Sequence, residues 1–433
     1  MTSPVRAFLF LQSHPSFFGR AVIRDMRAKG QTCHVVNLTF GDWFFRMGIG
    51  AVNYRGSLAN WRAWLGGFLE RYGITDIVYY ADQRPYHRIA SEVAEGRGIA
   101  CYAYEFGYLR PDFITLERTG MGVRSHFPAD PKVIEDLAAK VDHAEPDGHY
   151  PYGFSDEAPT EVFYHLGSWL LSFLYPGYVR DRRFNPVTEY LSYLPKLAFR
   201  KGRARHARAV TDQLCRQDTP FNLVLLQMQG DYQVRWATRY ESLDQFATDV
   251  ITSFCVHAPP DRHLVFKLHP LENGLRDWAG LIRKTAARLG LPDRVHVIDG
   301  GDLIQLIDRC EGVVTMNSTA GLTALQRGAA VCTMGIAVYD MPRMTHQTGL
   351  DAFWTDPQPP VPSTVAAFRR LLIAAIQIKG NFLTPSGRAR AVPEFSRRLI
   401  ERDVNRHGCF VTPPPRLARA HAMGVPTLPE WGT

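Results

Sequence analysis

Val313-Val-Thr-Met-Asn-Ser-Thr-Ala-Gly-Leu-Thr-Ala-Leu-Gln-Arg-Gly328 joins a short apolar run to a polar turn and then to a helix-forming run. The first four residues predict a buried strand, because they are mostly apolar and β-branched. Asn317 or Ser318 can cap the helix that follows, and Gly328 can end it as a C′ residue. A strand that runs directly into a helix is the repeating unit of parallel α/β sheets. The stretch therefore predicts an α/β fold for the C-terminal half of the chain.

The polar turn inside this stretch is suited to hold an anion. Backbone N–H groups at a helix N-terminus lack partners within the helix, and the helix dipole adds positive potential there. Asn317, Ser318 and Thr319 add hydrogen-bonding side chains, and Gly321 lets another part of the backbone come close. A phosphate or a carboxylate would fit without a cationic side chain. The alternative interpretation is an ordinary βα turn with no ligand.

The same alternation of strand and helix covers residues 222–334. Strands are predicted at 222–228, 263–268, 295–298, 313–316 and 331–334, with helices near 241–257, 273–289, 302–309 and 318–327. This order predicts a doubly wound parallel sheet, which binds ligands outside the carboxyl ends of its strands. Those ends carry Gln229, Gly230 and Asp231, then Lys267, His269 and Pro270, then Asp299-Gly-Gly-Asp302, and finally the polar turn. We expect these groups to converge on one edge.

The N-terminal half has its own alternation. Strands are predicted at 7–12, 32–36, 76–80 and 99–104, and helices at 17–29, 61–72 and 87–95. One core rarely grows past roughly 250–300 residues, so two sheets in this chain suggest two domains. We predict domains at 1–215 and 216–385, and a C-terminal helix and tail at 386–433 that pack back on the first domain. Two Rossmann-like domains facing across a cleft are the layout of GT-B glycosyltransferases.

The composition is typical of a soluble cytosolic enzyme. The apolar share of 45% is enough for large cores, and the seven cysteines include no Cys-x-x-Cys pair, which argues against a disulfide scaffold and a zinc cluster. The start of the chain leads into a strand without a signal-peptide pattern. The net charge of +8 comes without a nucleic-acid-binding signature, so no nucleic-acid partner is predicted.

Residues 163–208 combine an aromatic half with a basic half. The aromatic half contains Trp169 and is too short and too interrupted to span a membrane. The basic half includes Arg200, Lys201, Arg203 and Arg205. Two interpretations stay open: a solvated charged face, and an interfacial anchor on anionic lipid.

Several short blocks lie in order between residue 8 and about 380. They are Phe10-Leu-Gln-Ser-His-Pro-Ser-Phe-Phe18, Glu105-Phe-Gly-Tyr-Leu-Arg-Pro-Asp-Phe-Ile-Thr-Leu-Glu117, Gln227-Met-Gln-Gly-Asp-Tyr-Gln-Val234, Phe266-Lys-Leu-His-Pro270, and Asn317-Ser-Thr-Ala-Gly-Leu322 with Ala337-Val-Tyr-Asp-Met-Pro342. In this order and spacing the chain resembles the capsule polysaccharide synthesis proteins of the KpsS/LipB type. The resemblance implies a retaining β-Kdo transferase with a GT-B fold.

The same resemblance implies substrates and a place. The donor would be CMP-Kdo, bound by the C-terminal domain. The acceptor would be a (lyso)phosphatidylglycerol, bound by the N-terminal domain, on which the enzyme starts the poly-Kdo linker of a capsular polysaccharide. The protein would be cytoplasmic and peripheral on the inner membrane, with other capsule assembly proteins as further partners. No cofactor and no metal would be required.

The resemblance also assigns roles at the C-terminal rim. CMP-Kdo carries a phosphate and a carboxylate, so the polar turn would hold one of these anions. His269 would hydrogen-bond the leaving phosphate, although Lys267 alternates to the other face of the strand. The expected donor site comprises Gln229, Gly230, Lys267, Pro270, Asn317, Ser318, Thr319 and Gly321.

The expected catalytic residues are Asp231, Glu105 and His269. Asp231 would be the nucleophile, with an Asx-turn or a helix N-cap as the alternative. Glu105 would be the general base on the acceptor hydroxyl. Relatives have a second acid directly after this glutamate and the present chain has Phe106, so a lone role for Glu105 stays open.

Tyr108, Arg110 and His14 are the expected acceptor- or carboxylate-binding residues. An arginine suits either anion because its fork binds two oxygens. The alternative is a core tyrosine, with an arginine paired to Asp112 or Glu117. Asp299 and Asp302 could suggest a metal, but a turn followed by a capped helix is the favoured interpretation.

Two other functions fit the sequence. One is a GT-B transferase with another donor, such as a UDP-hexose or CDP-glycerol. The other is a non-catalytic partner in capsule assembly or export.

Overall fold

The computed structural model describes residues 6–142, 145–181, 185–228, 230, 232–270, 272 and 274–426. The strands are β1 (Ala7–Phe10), β2 (Thr32–Asn37), β3 (Val52–Asn53), β4 (Asp76–Tyr80), β5 (Ala100–Phe106), β6 (Phe113–Arg118), β7 (Phe221–Leu225), β8 (His263–Lys267), β9 (Val295–Ile298), β10 (Gly312–Thr315), β11 (Val331–Thr333) and β12 (Gln377–Lys379).

The helices alternate with these strands. They are α1 (Phe18–Ala28), α2 (Phe40–Phe45), α3 (Leu58–Arg71), α4 (Pro85–Glu95), α5 (Pro131–Ala138), α6 (Phe154–Leu170), α7 (Pro186–Ala198), α8 (Arg200–Arg216), α9 (Tyr232–Trp236), α10 (Leu243–His257), α11 (Trp278–Arg288), α12 (Leu303–Arg309), α13 (Thr319–Gln326), α14 (Leu350–Phe353), α15 (Pro362–Ala375), α16 (Pro385–Glu401) and α17 (Leu417–Ala422). Two short 3₁₀ turns lie at Gly122–Arg124 and Ser172–Leu174. The predicted α/β class is confirmed.

The chain forms two compact units, each with its own sheet. Unit 1 comprises residues 1–127, 141–187 and 370–413, and unit 2 comprises residues 128–140, 188–369 and 414–433. These divisions differ from the predicted boundaries after residues 215 and 385. Helix α8 belongs to unit 2, and α16 belongs to unit 1, where it packs against α1.

Unit 1 is built on a seven-stranded sheet in the order β12-β6-β5-β4-β1-β2-β3. Strands β3, β2, β1, β4 and β5 are parallel and follow the Rossmann order, with the switch point between β1 and β4. The sheet is mixed, because β6 runs antiparallel to β5 and β12 runs antiparallel to β6. The polar ends of β1 and β4 therefore meet at a place where such sheets bind ligands.

Alternation along β1 explains why its residues are all apolar. Phe8 and Phe10 lie in one core with Phe18 of α1, and Leu9 lies in a second core with Trp61 of α3. A strand covered by helices on both faces has no solvent face, so its sequence reads as a continuous apolar run.

Unit 2 is built on a five-stranded sheet in the order β11-β10-β7-β8-β9. All four pairings are parallel, as predicted. Phe246 and Phe254 of α10 pack with Phe266 of β8 and Trp354 in its largest described core cluster. Read in chain order within the unit, the strands again follow the Rossmann order, so the switch point lies between β7 and β10.

Candidate functional site

A side-chain amide pair joins the two strands at the switch point of unit 2. Gln227, which follows β7, donates through Nε2 to Oδ1 of Asn317 at 2.9 Å and accepts from the Asn317 N–H through Oε1 at 3.1 Å. The pair fixes both amides where parallel α/β sheets bind ligands. Gln227 was not among the predicted site residues, although its position after a buried strand was an available signal.

Ser318 is the N-cap of α13, one of the two residues predicted for that role. Its hydroxyl accepts from the Ala320 N–H at 3.2 Å, and its carbonyl accepts from the Tyr339 hydroxyl at 2.5 Å. A Cβ at Gly321 would overlap the same Tyr339 hydroxyl. The glycine therefore makes room for the Tyr339 side chain, and not for another part of the backbone as predicted. The N–H groups of Asn317 and Ala320 are thus engaged within the turn. The turn can offer an anion the hydroxyl groups of Ser318 and Thr319, two half-buried residues.

The end of β8 places its predicted residues at different depths. Lys267 is buried, and burial lowers the pKa of its ammonium group while Asp299 and Asp302 oppose that shift. His269 is half-buried, and its carbonyl accepts from the Glu272 N–H at 3.0 Å in a turn around the exposed Pro270. Lys267 is therefore a buried cation whose charge interacts with these two carboxylates, and its donor-binding role stays a prediction.

Two predicted residues, Gln229 and Asp231, lie outside the described residues, and Gly230 between them is exposed. Nothing in the structure bears on the nucleophile, so its assignment stays a prediction.

Asp299 and Asp302 belong to structural contacts of unit 2. Asp299 Oδ2 forms ion pairs with Lys196 Nζ at 3.6 Å and with Arg203 Nε at 3.2 Å. Asp302 caps α12 and accepts from the Ile304 N–H at 2.9 Å. This is the predicted turn and capped helix, with two basic side chains added.

In unit 1 a buried polar network fixes α6 at the carboxyl end of β1. Gln12 Nε2 donates to Asp42 Oδ2 at 3.2 Å and to the Tyr164 hydroxyl oxygen at 3.0 Å. The Tyr164 hydroxyl donates to Asp42 Oδ1 at 2.8 Å. Asp42 also completes the capping box of α2 with Thr39. These residues are buried and bonded to one another, so the network holds the Tyr164 face of α6 over the strand ends. Gln12 Oε1 is the exception, a buried oxygen without a hydrogen-bond partner among the described residues.

That face of α6 carries two glutamates. Glu157 and Glu161 precede Tyr164 by two turns and one turn, so the three side chains share one side of the helix. Glu161 pairs with His165 Nε2 at 3.0 Å. Burial raises the pKa of Glu157, and the charge of Glu161 raises it further, whereas Arg110 lowers it. The helix therefore brings partly desolvated carboxyl groups to the strand ends.

The charges of three acids act on the hydroxyl of Tyr80, at the end of β4. Burial raises the pKa of Tyr80 well above its usual value, and the charges of Glu105, Glu161 and Glu157 add to the shift. Arg84 opposes it, with its guanidinium 5.3 Å from the Tyr80 ring centre. Sequence reasoning found Glu105 and missed the two acids of α6. Their i, i+4 spacing ahead of an aromatic residue was the available signal.

Glu105 lies within β5 rather than after it, because the strand continues to Phe106 and pairs Glu105 with Thr115 of β6. Its side chain is half-buried. Tyr108 donates its hydroxyl to Glu117 Oε1 at 3.0 Å. Tyr108 therefore fits the alternative of a core tyrosine better than an acceptor-binding role.

Arg110 is exposed, and its guanidinium lies 5.1 Å from the ring centre of Phe106. Asp112 accepts instead from His149 Nδ1 at 2.8 Å and from the Tyr150 N–H at 2.6 Å. The structure thus leaves Arg110 at the surface beside the acid cluster, where it could bind an anion.

His14 lies below the edge rather than on it. It is 1% exposed, stacks on Phe382 at 4.7 Å, and meets Tyr80 and Phe106 edge-on. Neither ring nitrogen has a hydrogen-bond partner within the described part of the chain. Burial lowers the pKa of His14 to about 4, so the ring is neutral at neutral pH. As a buried, neutral ring it would not bind a carboxylate as a cation, and its predicted role in acceptor or carboxylate binding is untested.

Acidification is expected to destabilise the protein through this histidine. The pKa of His14 is 6.5 unperturbed and about 4 in the fold, so between these values the unfolded chain binds a proton that the native chain does not. The contribution is fully present above pH 6.5 and is lost as the pH falls, up to about 3 kcal/mol. His14→Phe should reduce, without abolishing, the dependence of the unfolding free energy on pH from 6.5 to 4, measured by urea denaturation, because burial also lowers the pKa of His87 to about 3 and that of His296 to about 4. His407→Asn, at an exposed position, is the control and should leave the slope unchanged.

The aromatic and basic halves of residues 163–208 fall in different units, because the division lies at residue 187. Trp169 is half-buried in α6, and its carbonyl accepts from Arg180 Nη2 at 3.3 Å. On α8, Lys201 and Arg205 are exposed and Arg203 is paired with Asp299, while the side chain of Arg200 lies outside the described residues. The predicted anchor therefore spans the division between the two units, and its membrane role stays a prediction. In the portion of the chain that the structure covers, no helix is long and apolar enough to cross a membrane.

Comparisons with known proteins give one family. The model of the capsule polysaccharide biosynthesis proteins matches residues 75–383. The capsule polysaccharide export protein KpsS of Escherichia coli is 28% identical over 387 residues, covering 87% of this chain and 97% of that protein. The capsule polysaccharide modification protein LipB of Neisseria meningitidis serogroup B is 30% identical over 384 residues, covering 86% and 91%. Among solved structures, the KpsC beta Kdo 2,7 transferase of Thermosulfurimonas dismutans aligns over 92% of this chain and 99% of its own, with 13% identity and a TM-score of 0.45.

Proposed function

Because the chain belongs to the capsule polysaccharide biosynthesis protein family, we propose that it is a retaining glycosyltransferase that moves Kdo from CMP-β-Kdo to a (lyso)phosphatidylglycerol. The observation that carries the proposal is the polar switch point of unit 2, where Gln227, Asn317 and the Ser318 cap meet. A nucleotide-sugar phosphate is the kind of ligand that such a point binds.

The donor would bind with its anions against unit 2. The hydroxyl groups of Ser318 and Thr319 would donate to the CMP phosphate or to the Kdo carboxylate. His269, two residues beyond β8, would hydrogen-bond the phosphate as it leaves. Charge develops on that phosphate as the glycosidic bond breaks, so donors placed in advance stabilise the transition state more than the ground state.

Retention of configuration would follow from two displacements. In the first, a carboxylate oxygen of Asp231 attacks the anomeric carbon, and the bond to the phosphate breaks with release of CMP. In the second, Glu105 takes the proton of the acceptor hydroxyl, whose oxygen attacks the same carbon and frees Asp231. The proton ends on Glu105 and passes to solvent. These steps need no metal ion.

Unit 1 would bind the acceptor. The surface guanidinium of Arg110, whose charge acts on Glu157 of α6, suits an acceptor phosphate or the Kdo carboxylate. The acceptor lipid would place the protein on the cytoplasmic face of the inner membrane, alongside other capsule assembly proteins.

One assay tests the proposal. Purified protein is incubated with a fluorescent lysophosphatidylglycerol and CMP-Kdo, UDP-hexose or CDP-glycerol in separate reactions. Only CMP-Kdo should give a product heavier by one or more Kdo residues in mass spectrometry. A product with another donor would support the transferase activity but show that CMP-Kdo is not the donor. No product with any donor would favour the second candidate, a non-catalytic role, which the name of the export protein KpsS suggests.

Replacing Ser318 by alanine together with Thr319 by valine is expected to weaken CMP binding by about 1–3 kcal/mol, the scale for losing hydrogen bonds to a charged group. Isothermal calorimetry measures the change. Ser242→Ala, at the N-cap of α10, is the matched control and should leave the affinity unaltered. Loss of the Ser318 cap also lowers stability, so a melting curve for each variant separates unfolding from lost contact. An unchanged CMP affinity in the double variant would remove the turn from the phosphate site.

A further inference from the structure

One face of unit 1 exposes large apolar side chains that soluble proteins usually bury. Phe17 is 38% exposed, Trp43 42%, Phe163 41%, Leu170 58% and Phe173 70%. They lie on or near α2, α6 and the 3₁₀ turn after α6.

Ring contacts connect most of these side chains. Phe44 lies 4.3 Å from Phe163 and 6.3 Å from Phe17, centre to centre. Phe40 lies 5.5 Å from Trp43. Leu170 follows Phe163 by two helical turns on the same side of α6, and Phe173 follows in the 3₁₀ turn. We call this set, with Leu170 and Phe173, the aromatic face.

A cavity of about 270 Å³ opens beside the aromatic face. Phe173 forms part of its wall, together with the hydroxyl-bearing Ser168 and Ser172 and the guanidinium-bearing Arg180. Thr39, Tyr175, Pro176 and Tyr178 complete the lining.

The lining offers donors for an anion. The Ser168 oxygen accepts from the Gly41 N–H at 3.0 Å, and the hydroxyl has one O–H to donate as well. Arg180 donates one Nη2 contact to the Trp169 carbonyl at 3.3 Å and carries five N–H groups in all. Ser172 and Arg180 are exposed. A pocket with a guanidinium and hydroxyl groups at an apolar rim matches a phosphate that is attached to a hydrocarbon chain.

Two further basic residues lie near α2, the helix that carries Phe40, Trp43 and Phe44. The guanidinium groups of Arg20 and Arg24 lie beside Gly48, which follows the exposed Met47. Aromatic side chains bordered by arginine are the composition of surfaces that lie in the interfacial layer of anionic bilayers.

We propose that the aromatic face docks unit 1 on an anionic phospholipid bilayer, with Leu170 and Phe173 inserted among the headgroups and one lipid phosphate in the cavity against Arg180. This deepens the membrane location in the proposed function and moves the contact from the basic helix α8 to α2 and α6. It does not depend on which sugar is transferred.

Flotation of the full chain with vesicles tests the docking, without any donor present. Vesicles of phosphatidylglycerol mixed with phosphatidylcholine should bind the protein, and pure phosphatidylcholine should bind it more weakly. Leu170→Ser with Phe173→Ser should reduce the partition coefficient about tenfold or more on both vesicles. Arg180→Gln should reduce it severalfold on the anionic vesicles alone.

Two controls sharpen the result. Val256→Ser, which removes an equally exposed apolar side chain from α10, should leave binding unchanged. Lys201→Gln with Arg205→Gln, on α8, should change it by less than about twofold. All substituted positions are exposed, and melting curves confirm that each variant is folded.

Three outcomes would overturn the docking. The first is that the wild type does not bind anionic vesicles, and the second is that the α8 variant loses vesicle binding while the Phe173 variant keeps it. The third is that light scattering shows the wild type as a dimer and the Phe173 variant as a monomer. The last would make the aromatic face an interface between two copies. If the protein binds vesicles but transfers no sugar, the proposed function is contradicted and the docking proposal still holds.

Discussion

Asp231→Ala is expected to lower Kdo transfer by more than about a thousandfold, because it removes the group that holds the sugar between the two displacements. Affinity for CMP should change little, since the residue lies in the segment between β7 and α9 and not in the polar turn of α13. Initial rates with CMP-Kdo and a soluble lysophosphatidylglycerol measure the loss, and calorimetry with CMP measures the affinity.

Asp249→Ala is the matched control, an exposed aspartate of unit 2 paired with Arg239. It should retain full activity. Wild-type protein incubated with the donor alone should carry a Kdo adduct on the peptide that contains Asp231. An adduct on another carboxylate, or normal turnover by the alanine variant, would take Asp231 out of the nucleophile's role.

Glu105→Gln is expected to lower transfer by about 10²–10⁴-fold, the range for losing a general base. The amide nearly preserves the shape of the side chain, so β5 and its pairing with β6 should be retained. The first displacement should survive: a burst of CMP equal to the enzyme concentration should appear, followed by almost no further turnover. Rapid-quench measurement of CMP release separates these two phases.

The acids of α6 are the internal comparison for Glu105. Glu161→Gln removes a negative charge that raises the pKa of Glu157. The pKa of Glu157 should then fall, and the acid limb of any pH–rate profile that depends on it should move to lower pH. If Glu105→Gln is fully active while Glu157→Gln is inactive, the general base is Glu157 of α6. That glutamate would then replace the second acid that relatives have at the position of Phe106.

Much of the fold could be predicted because its signals are local. The strands β4 and β9 have the predicted bounds, and the others of the two parallel arrays lie within a few residues of theirs, except for the two-residue strand β3, which was not predicted. Apolar runs and helix caps depend on neighbours in the chain, so Ser318 as N-cap and Gly328 just after α13 could be read from the sequence.

The sequence by itself thus determined the α/β class, the parallel array of each sheet and the polar strand ends. Only the tertiary structure decided which side chains at those strand ends are exposed and which are buried or ion-paired. Strand β12 pairs with β6, although more than half of the chain separates them in sequence, and the hydrophobic pattern of the sequence does not predict this pairing. Arg203 is paired because α8 docks beside Asp299, and His14 is neutral because aromatic rings exclude water from it. Burial and ion pairing arise between segments that are distant in sequence, so a residue's type predicts its chemistry only when its neighbours in space are known.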